Sequence, residues 1–319
     1  MIEWHRTMRW IPAAVLCLCA FPALEQLPAD AFAAQRALLE RGDFAHAEDD
    51  LRKALRANPT SPDGHFLLGY LLFREQKATE SLAEYTAGAK YRNPAAGDLK
   101  TVASDYVLLG DLADAEKWFS EAVKLQPGDA DSWYLLGRAQ FNVSDFTAAK
   151  ASFERALQLH PMSVKAEDNL GLCWRELNDP VQAQAAFENA ISWQGNTPTD
   201  AQPFLNLGSL MADLEKWDKA IVNLELALRI SPNNPSTHEQ LARVYTGQQN
   251  LQKAQSELEQ AIVLAPDVSA LHYQLGQLFR KMGQKDRAQQ EFATCTKLNL
   301  SKSSNKTPNP PSMLKVDTP

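Results

Sequence analysis

A 34-residue recurrence is the feature of this sequence that most limits what it can fold into. Eight consecutive windows hold the same residue types at the same offsets, and one insertion, residues 198–200, separates the fifth window from the sixth. The windows are 28–61, 62–95, 96–129, 130–163, 164–197, 201–234, 235–268 and 269–302. A repeat of this length in a nearly continuous series predicts stacked copies of one small unit, in which each copy is stabilised by its neighbours.

Each window carries small residues at three offsets and a large apolar residue at a fourth. Offset 20 is Ala in seven windows and Ser81 in the second; offset 27 is Ala in six; offset 8 is Gly in five. The large residues at offset 24 are Leu51, Tyr85, Phe119, Phe153, Phe187, Leu224, Leu258 and Phe292. Small side chains let two helices approach closely. We therefore expect an antiparallel helix pair in each window, with the offset 24 side chain filling the gap between the helices.

Two further offsets predict where these helices stop. Five windows have Pro at offset 32, and Pro has no N–H with which to continue a helix. Four windows have Gly42, Gly110, Asn178 and Gly283 at offset 15. Gly and Asn suit a left-handed turn. Each window therefore reads as a first helix (helix A), a tight turn and a second helix (helix B).

The window 130–163 shows the pattern most completely. Its diagnostic residues are Trp133, Leu136, Gly137, Ala149, Phe153, Ala156 and Pro161. This set resembles the tetratricopeptide repeat (TPR) family. The resemblance implies an all-α, right-handed superhelical solenoid of about eight helix-turn-helix repeats over residues 28–302. It also implies that the concave face, lined by helix A of each repeat, binds peptides or protein partners.

Residues 1–27 precede the repeats and resemble a secretory signal peptide. Arg6 and Arg9 come before an apolar run over residues 10–24, which is too short for a comfortable membrane span. Two Ala-x-Ala sequences follow, ending at Ala31 and Ala33. We expect a periplasmic or secreted protein of a bacterial envelope. The alternatives are a membrane anchor or a cap on the first repeat formed by the uncleaved segment, or a cytoplasmic location. Membrane contact is expected only if the segment is uncleaved.

The other end of the chain predicts an open edge. Residues 303–319 are rich in Pro, Ser, Asn and Lys, a composition typical of disorder. No capping helix is evident after the eighth window. Phe292 and Leu298 are therefore expected at an uncovered edge, and copies could associate through such uncapped ends.

Composition and motifs argue against several function classes. The net charge is −7 and the sequence contains no run of Lys or Arg, which disfavours nucleic-acid binding. No zinc-protease, phosphate-loop, CxxC or nucleophile-elbow motif occurs. Cys173 and Cys295 fall at packing offsets and are expected to be inert. We therefore expect no enzyme activity, no metal and no cofactor.

The resemblance assigns a candidate binding surface to helix A side chains. The candidates are Tyr70, Arg74, Tyr134, Arg138, Phe141, Arg175, Arg243, Tyr273 and Arg280. Arg and aromatic side chains suit recognition of carboxylates and extended peptides. Asp63, Asp131, Asp168, Asp213 and Glu239 map to the same surface, which makes it mixed in charge. The simpler interpretation is that these charges only solvate an open helical face.

The sequence therefore predicts a non-catalytic scaffold that binds a protein or peptide partner on the concave face. One alternative is an accessory subunit of an enzyme or of an envelope secretion or assembly complex. The other is a structural protein that assembles with copies of itself.

Overall fold

The computed structural model describes residues 31–304, and this part of the chain is entirely helical. Its sixteen helices are α1 (Ala33–Glu40), α2 (Phe44–Ala57), α3 (Pro62–Arg74), α4 (Ala78–Ala89), α5 (Ala96–Leu109), α6 (Leu112–Leu125), α7 (Ala130–Asn142), α8 (Phe146–Leu159), α9 (Val164–Glu176), α10 (Pro180–Ser192), α11 (Gln202–Asp213), α12 (Trp217–Ile230), α13 (Pro235–Gly247), α14 (Leu251–Leu264), α15 (Ser269–Lys281) and α16 (Lys285–Ser304). Odd-numbered helices are the A helices and even-numbered helices are the B helices. Each window supplies one hairpin, and each B helix packs against the next A helix. The predicted solenoid of eight hairpins is confirmed.

The two ends of the solenoid depart slightly from the predicted bounds. Helix α1 begins only at Ala33, and the proposed signal segment, residues 1–27, lies outside the described residues. Helix α16 has 20 residues and continues to Ser304, two residues beyond the predicted limit at 302. It has no Pro at offset 32 to stop it, since Leu300 stands there. The remainder of the predicted disordered tail also lies outside the described residues.

Close packing within each hairpin follows from the small residues at offsets 8, 20 and 27. Phe187 at offset 24 is fully buried against Gly171 at offset 8. A methyl group placed on Gly171 would lie 2.6 Å from Cε1 of Phe187, closer than real side chains approach. The Ala residues at offset 20 are almost all inaccessible to solvent, as is Ser81. The sequence pattern therefore encodes the distance between helix A and helix B.

The A–B turns all use the same left-handed residue. Offset 15 has a positive φ in every repeat, at Gly42, Gln76, Gly110, Ser144, Asn178, Glu215, Gln249 and Gly283. The Gly and Asn positions were predicted to turn in this way. The other four show that hairpin geometry imposes the conformation on residues that do not favour it. Five of the B helices, α2, α6, α8, α10 and α14, also begin with a side-chain cap. Asp145, for example, accepts a hydrogen bond from the backbone N–H of Ala148 at 3.0 Å.

Histidines at offset 4 connect the two helices of their hairpins. His65, His238 and His272 each place Nδ1 2.7 Å from a glutamate Oε2 on helix B. The glutamates are Glu84, Glu257 and Glu291, each nineteen residues further on. Trp133 occupies the same offset, and its Nε1–H donates to the Pro127 carbonyl at 3.0 Å. Offset 4 therefore has a structural role in these four repeats.

The insertion between repeats five and six forms a compact loop closed by Gln194. Its Oε1 accepts hydrogen bonds from the backbone N–H groups of Thr199 and Asp200, at 3.1 and 2.8 Å. Its Nε2 donates to the Asp200 carbonyl at 3.1 Å. The Asp200 side chain then accepts from the N–H of Gln202, where α11 begins. The insertion therefore lengthens this loop, and it resets the register for the last three repeats.

Candidate functional site

The A helices form the inner face of the solenoid. Contacts between consecutive A helices occur for α3 with α5, α7 with α9, α9 with α11, and α11 with α13. Within residues 31–304, consecutive B helices make no comparable contacts. In a curved stack, elements come closest on the inner side. The A helices therefore line the concave face, and this face holds the candidate residues.

Tyr70 and Arg74 form one aromatic and cationic group on α3. Arg74 Nη1 donates to the Tyr70 hydroxyl at 3.3 Å, and its guanidinium lies 5.4 Å from the ring centre of Phe44. The Tyr70 ring is 6.5 Å from Phe73. Tyr70 is 37% exposed. The structure brings these two predicted residues together and leaves both accessible to a partner.

Tyr134 and Arg138 form a similar pair on α7. The Arg138 guanidinium lies 6.0 Å from the centre of the Tyr134 ring, which in turn lies 5.8 Å from Phe153. Burial raises the pKa of the Tyr134 phenol. Phe141 instead packs edge-on against Phe146 across the A–B turn, with ring centres 5.2 Å apart. Phe141 therefore acts mainly within the hairpin, and Arg138 is the exposed member of this group.

A buried carboxyl group lies at the middle of the concave face, where the sequence suggested a solvated one. Asp168 is only 4% exposed, and both of its oxygens accept from Asn206 Nδ2 at 2.9 Å. Burial raises the pKa of Asp168 to about 7. Asn206 also accepts from Gln202 through its Oδ1. Asp168 and Asn206 thus connect α9 to α11 and are not free to contact a partner.

Arg175 and Arg280 end their A helices near this surface. The Arg175 side chain is half-buried, and its Nη2 lies 3.4 Å from Oε1 of Glu176. Arg280 is exposed in the last turn of α15. Neither residue joins the Tyr70 or Tyr134 group, so the nine predicted residues form several small groups along the face.

Arg243 and Tyr273 line one cavity, between α13 and α15. It has a volume of about 320 Å³ and opens to solvent. Arg243 Nη1 donates to Asp213 at 2.6 Å, and its Nη2 donates to the Ser209 carbonyl at 3.0 Å. Tyr273 is 50% exposed, with its ring 5.6 Å from Phe292. This pairing of two predicted residues from adjacent repeats was not foreseen.

A second cavity of about 480 Å³ lies between α3 and α5, near the other end of the same face. Tyr70 lines it together with Phe66, Arg92 and Lys100. The Arg92 guanidinium lies 5.2 Å from the Phe66 ring centre, and its Nη1 is 2.7 Å from Asp63. Arg92 was not among the predicted residues, because it follows helix B of its repeat and lies outside the helix A offsets.

Phe292 and Leu298, expected at an open edge, are both half-buried. Phe292 packs against Gly276 and Tyr273 inside the last hairpin. The exposed apolar residue of α16 is instead Leu300, at 66%. The expected apolar edge is therefore smaller than the sequence suggested.

The described part of the chain does not assemble a cluster suited to binding a metal ion. No three His, Cys, Asp or Glu side chains among residues 31–304 are close enough to share a metal ion. Cys173 is buried, and burial raises the pKa of its thiol to about 12, which makes it a poor nucleophile at neutral pH. No helix within this same range is long and apolar enough to span a bilayer.

Comparison with family models decides the family. Models described as tetratricopeptide repeat match residues 32–96, 103–142, 134–201, 211–267 and 269–302. The chain belongs to the tetratricopeptide repeat family. A comparison of this TPR protein with curated proteins finds no match.

Solved structures show the same fold at low sequence identity. A TPR protein from Parabacteroides merdae is 19% identical, with a TM-score of 0.63 over 78% of this chain and 97% of that chain. The Cut9–Hcn1 hetero-tetramer of the APC/C contains a chain that is 16% identical, with a TM-score of 0.61 over 86% of this chain and 52% of that one. PilW, a type IV pilus biogenesis factor, is 21% identical, with a TM-score of 0.55 over 66% of this chain and 93% of that one. These likenesses concern the fold, and this chain spans about half of the Cut9–Hcn1 chain that it matches.

Proposed function

We propose that this TPR protein is a non-catalytic scaffold that binds an extended segment of a protein partner along its concave face. The observation that carries the proposal is the pair of solvent-open cavities between neighbouring A helices. One, between α3 and α5, is lined by Tyr70; the other, between α13 and α15, is lined by Arg243 and Tyr273. An extended chain that follows the concave face meets both cavities.

The side chains on this face suit protein recognition. Tyr and Arg are the residue types most enriched among those that dominate binding energy at interfaces. Tyr70 and Tyr273 leave 37% and 50% of their surface available to a partner. Arg138 is exposed beside Tyr134, so a bound carboxylate could pair with its guanidinium. Structures with the same fold include a chain of the Cut9–Hcn1 hetero-tetramer and PilW, a type IV pilus biogenesis factor, and both support the same class of function.

We also propose that the protein acts in a bacterial envelope, where it could be an accessory subunit of an assembly complex. The basic start, the apolar run over residues 10–24 and the Ala-x-Ala sequences support this location.

A cross-linking pull-down tests the scaffold function. Tagged full-length protein is cross-linked in cells, and captured proteins are compared between the native chain and the double variant Arg138→Glu, Arg175→Glu. The control is Arg229→Glu, which reverses an exposed cation on the B helix α12. We expect the control to retain the partners and the double variant to lose them. Equal capture by all three proteins would count against binding on the concave face, and hydrolase or transferase activity in the pure protein would contradict the non-catalytic role.

A further inference from the structure

The cavity between α13 and α15 has an apolar floor beneath a polar rim. Ala242, Leu258 and Leu278 line its floor, and each is at most 3% exposed. The half-exposed ring of Tyr273 contributes to its wall. Its volume of about 320 Å³ is roughly twice that of a cavity of about 150 Å³ that accommodates benzene. The space is therefore large enough for the side chain of a Leu, Met or Phe.

Several polar groups around the rim already form hydrogen bonds within the protein. Gln277 Nε2 donates to the Tyr273 hydroxyl at 2.8 Å, and Gln274 Nε2 donates to Glu239. Arg243 is held by Asp213 and Ser209. Because these hydrogen bonds are made within the protein, an apolar side chain can enter without leaving a buried polar group unpaired. A polar occupant would have to compete for donors and acceptors that are already engaged.

The charge at the mouth of the cavity is positive in a protein whose net charge is −7. Arg243 and Lys281 line the cavity with Glu239, and Asp213 pairs with Arg243, so two carboxylates offset part of this positive charge. Arg280 precedes Lys281 in the last turn of α15, and both are exposed. Acidic groups on a bound chain are attracted to this rim, whereas basic ones are repelled by it.

We propose that this cavity holds one large apolar side chain of an extended partner segment, and that Lys281 selects an Asp or Glu beside that anchor. The proposal rests on the proposed function, since it assigns the partner's chemistry to one part of the same concave face. The proposed ligand is a peptide segment with an apolar anchor residue and an acidic neighbour.

A peptide selection with matched variants tests this assignment. A random dodecapeptide library is selected on immobilised full-length protein, and dissociation constants of the enriched peptides are measured by fluorescence anisotropy. Gln277→Trp places a large ring in the cavity, and Lys281→Glu reverses the charge at its mouth. Gln184→Trp is the control, because Gln184 lines separate cavities beside the B helix α10. Lys281 is exposed, so its variant tests the proposal even if Gln277→Trp disturbs the hairpin.

We expect the enriched peptides to share an apolar residue flanked by Asp or Glu. Their dissociation constants should rise about tenfold or more with Gln277→Trp and several-fold with Lys281→Glu, and should be unchanged with Gln184→Trp. If the enriched peptides bind Gln277→Trp, Lys281→Glu and Gln184→Trp equally, this inference is overturned. If the same peptides fail to bind Arg138→Glu, the proposed function remains intact. Selection of no peptide would overturn both. Light scattering tests whether a second copy of this chain occupies the cavity. If the native chain forms a dimer that Gln277→Trp dissociates, the cavity binds a second copy and the peptide assignment is overturned.

Discussion

Ser81 and Asp105 are hydrogen-bonded in the buried interface between α4 and α5, with Oγ and Oδ2 2.6 Å apart. Both residues are inaccessible to solvent. Ser81 is the one exception to Ala at offset 20, and Asp105 is the one polar residue at offset 10. The other windows have Ala37, Leu71, Ala139, Cys173, Leu210, Val244 and Leu278 at offset 10. Two departures from the repeat pattern therefore meet, and each supplies a polar partner for the other.

Protonation of Asp105 explains how Ser81 Oγ can form hydrogen bonds with two oxygen atoms. Ser81 Oγ also lies 2.8 Å from the Gly69 carbonyl, but a hydroxyl has one proton to donate. Burial raises the pKa of Asp105 to about 7. A protonated Asp105 donates to Ser81 Oγ, and Ser81 then donates to Gly69. Asp105 Oδ1 has no partner among the described residues, which is less unfavourable for a neutral carboxyl than for a charged one.

The first prediction is that Asp105→Asn flattens the pH dependence of stability. The pKa of Asp105 is about 7 in the folded protein against a reference value of 3.8, so the folded state binds the extra proton between these values. The free energy of unfolding therefore falls as pH rises through this window. Asp105 makes its full contribution to the free energy of unfolding below about pH 4 and loses it above about pH 7. Between about pH 5 and about pH 8, we expect this contribution to fall by about 2 kcal/mol.

Urea unfolding at these two pH values measures the effect. The native chain should lose about 2 kcal/mol more than Asp105→Asn on going to the higher pH. The pKa of Asp168 is also raised, but Asp168 is present in both proteins, so its effect on stability cancels in the comparison. Asp131→Asn changes an exposed carboxylate on α7 and should behave like the native chain. Equal losses for the native chain and Asp105→Asn would show that Asp105 is not protonated in the folded protein.

The fold was largely predictable because the repeat pattern records contacts within one hairpin. Offsets 8, 20 and 24 meet inside a single repeat, so residues such as Gly171 and Phe187 can be paired from the sequence alone. The contact between Ser81 and Asp105 joins two repeats. It depends on how one hairpin stacks on the next, which no single offset specifies.

The site was less predictable because it also depends on how neighbouring repeats pack. The residue types and the helix A face followed from the family resemblance, and Tyr70 does lie beside Arg74. The cavity that holds Arg243 and Tyr273 depends on the spacing of α13 and α15, two helices in different repeats. The burial of Asp168 by Asn206 likewise requires the packing of α9 against α11.

The second prediction concerns the close approach of helix A and helix B. Gly171→Ala places a methyl group 2.6 Å from the buried ring of Phe187 and should destabilise the protein by about 1 to 3 kcal/mol. Gly97→Ala is the matched control in α5, where nothing lies within 4 Å of the added methyl. It should stabilise the protein by about 0.5 kcal/mol, because Ala favours helix over Gly. Chemical denaturation gives both values, and a neutral Gly171→Ala would contradict the packing role of offset 8.

The third prediction tests the strain in the A–B turns. Glu215 has a φ of 55°, a left-handed conformation that costs a non-glycine residue about 1 to 2 kcal/mol. Glu215→Gly removes this cost but increases the entropy of the unfolded chain, so we expect a net gain of about 0.5 to 1 kcal/mol. Gly110→Ala makes the reverse change at the same offset, where φ is 78°, and should destabilise the protein. Thermal unfolding of both variants is the measurement. Shifts of the same sign would show that turn conformation does not determine these effects.

The fourth prediction rests on the proposed export and locates the start of the mature chain. The two candidate cleavage sites follow Ala31 and Ala33. Phe32 is only 8% exposed and packs in the core shared by the first two hairpins, next to Gly64 of α3. Cleavage after Ala33 would remove this side chain, and truncating a buried Phe costs about 3 to 5 kcal/mol. Cleavage after Ala31 retains it, so we expect the mature chain to begin at Phe32.

Mass spectrometry of protein purified from the cell envelope identifies the first residue. Ala31→Leu replaces the small residue that must precede the cut and should block processing, whereas Ala33→Leu should leave the mature chain beginning at Phe32. A mature chain that begins at Ala34 would mean that the first hairpin forms without Phe32. An intact chain in the cytoplasm would contradict export altogether and would leave residues 1–31 as part of the working protein.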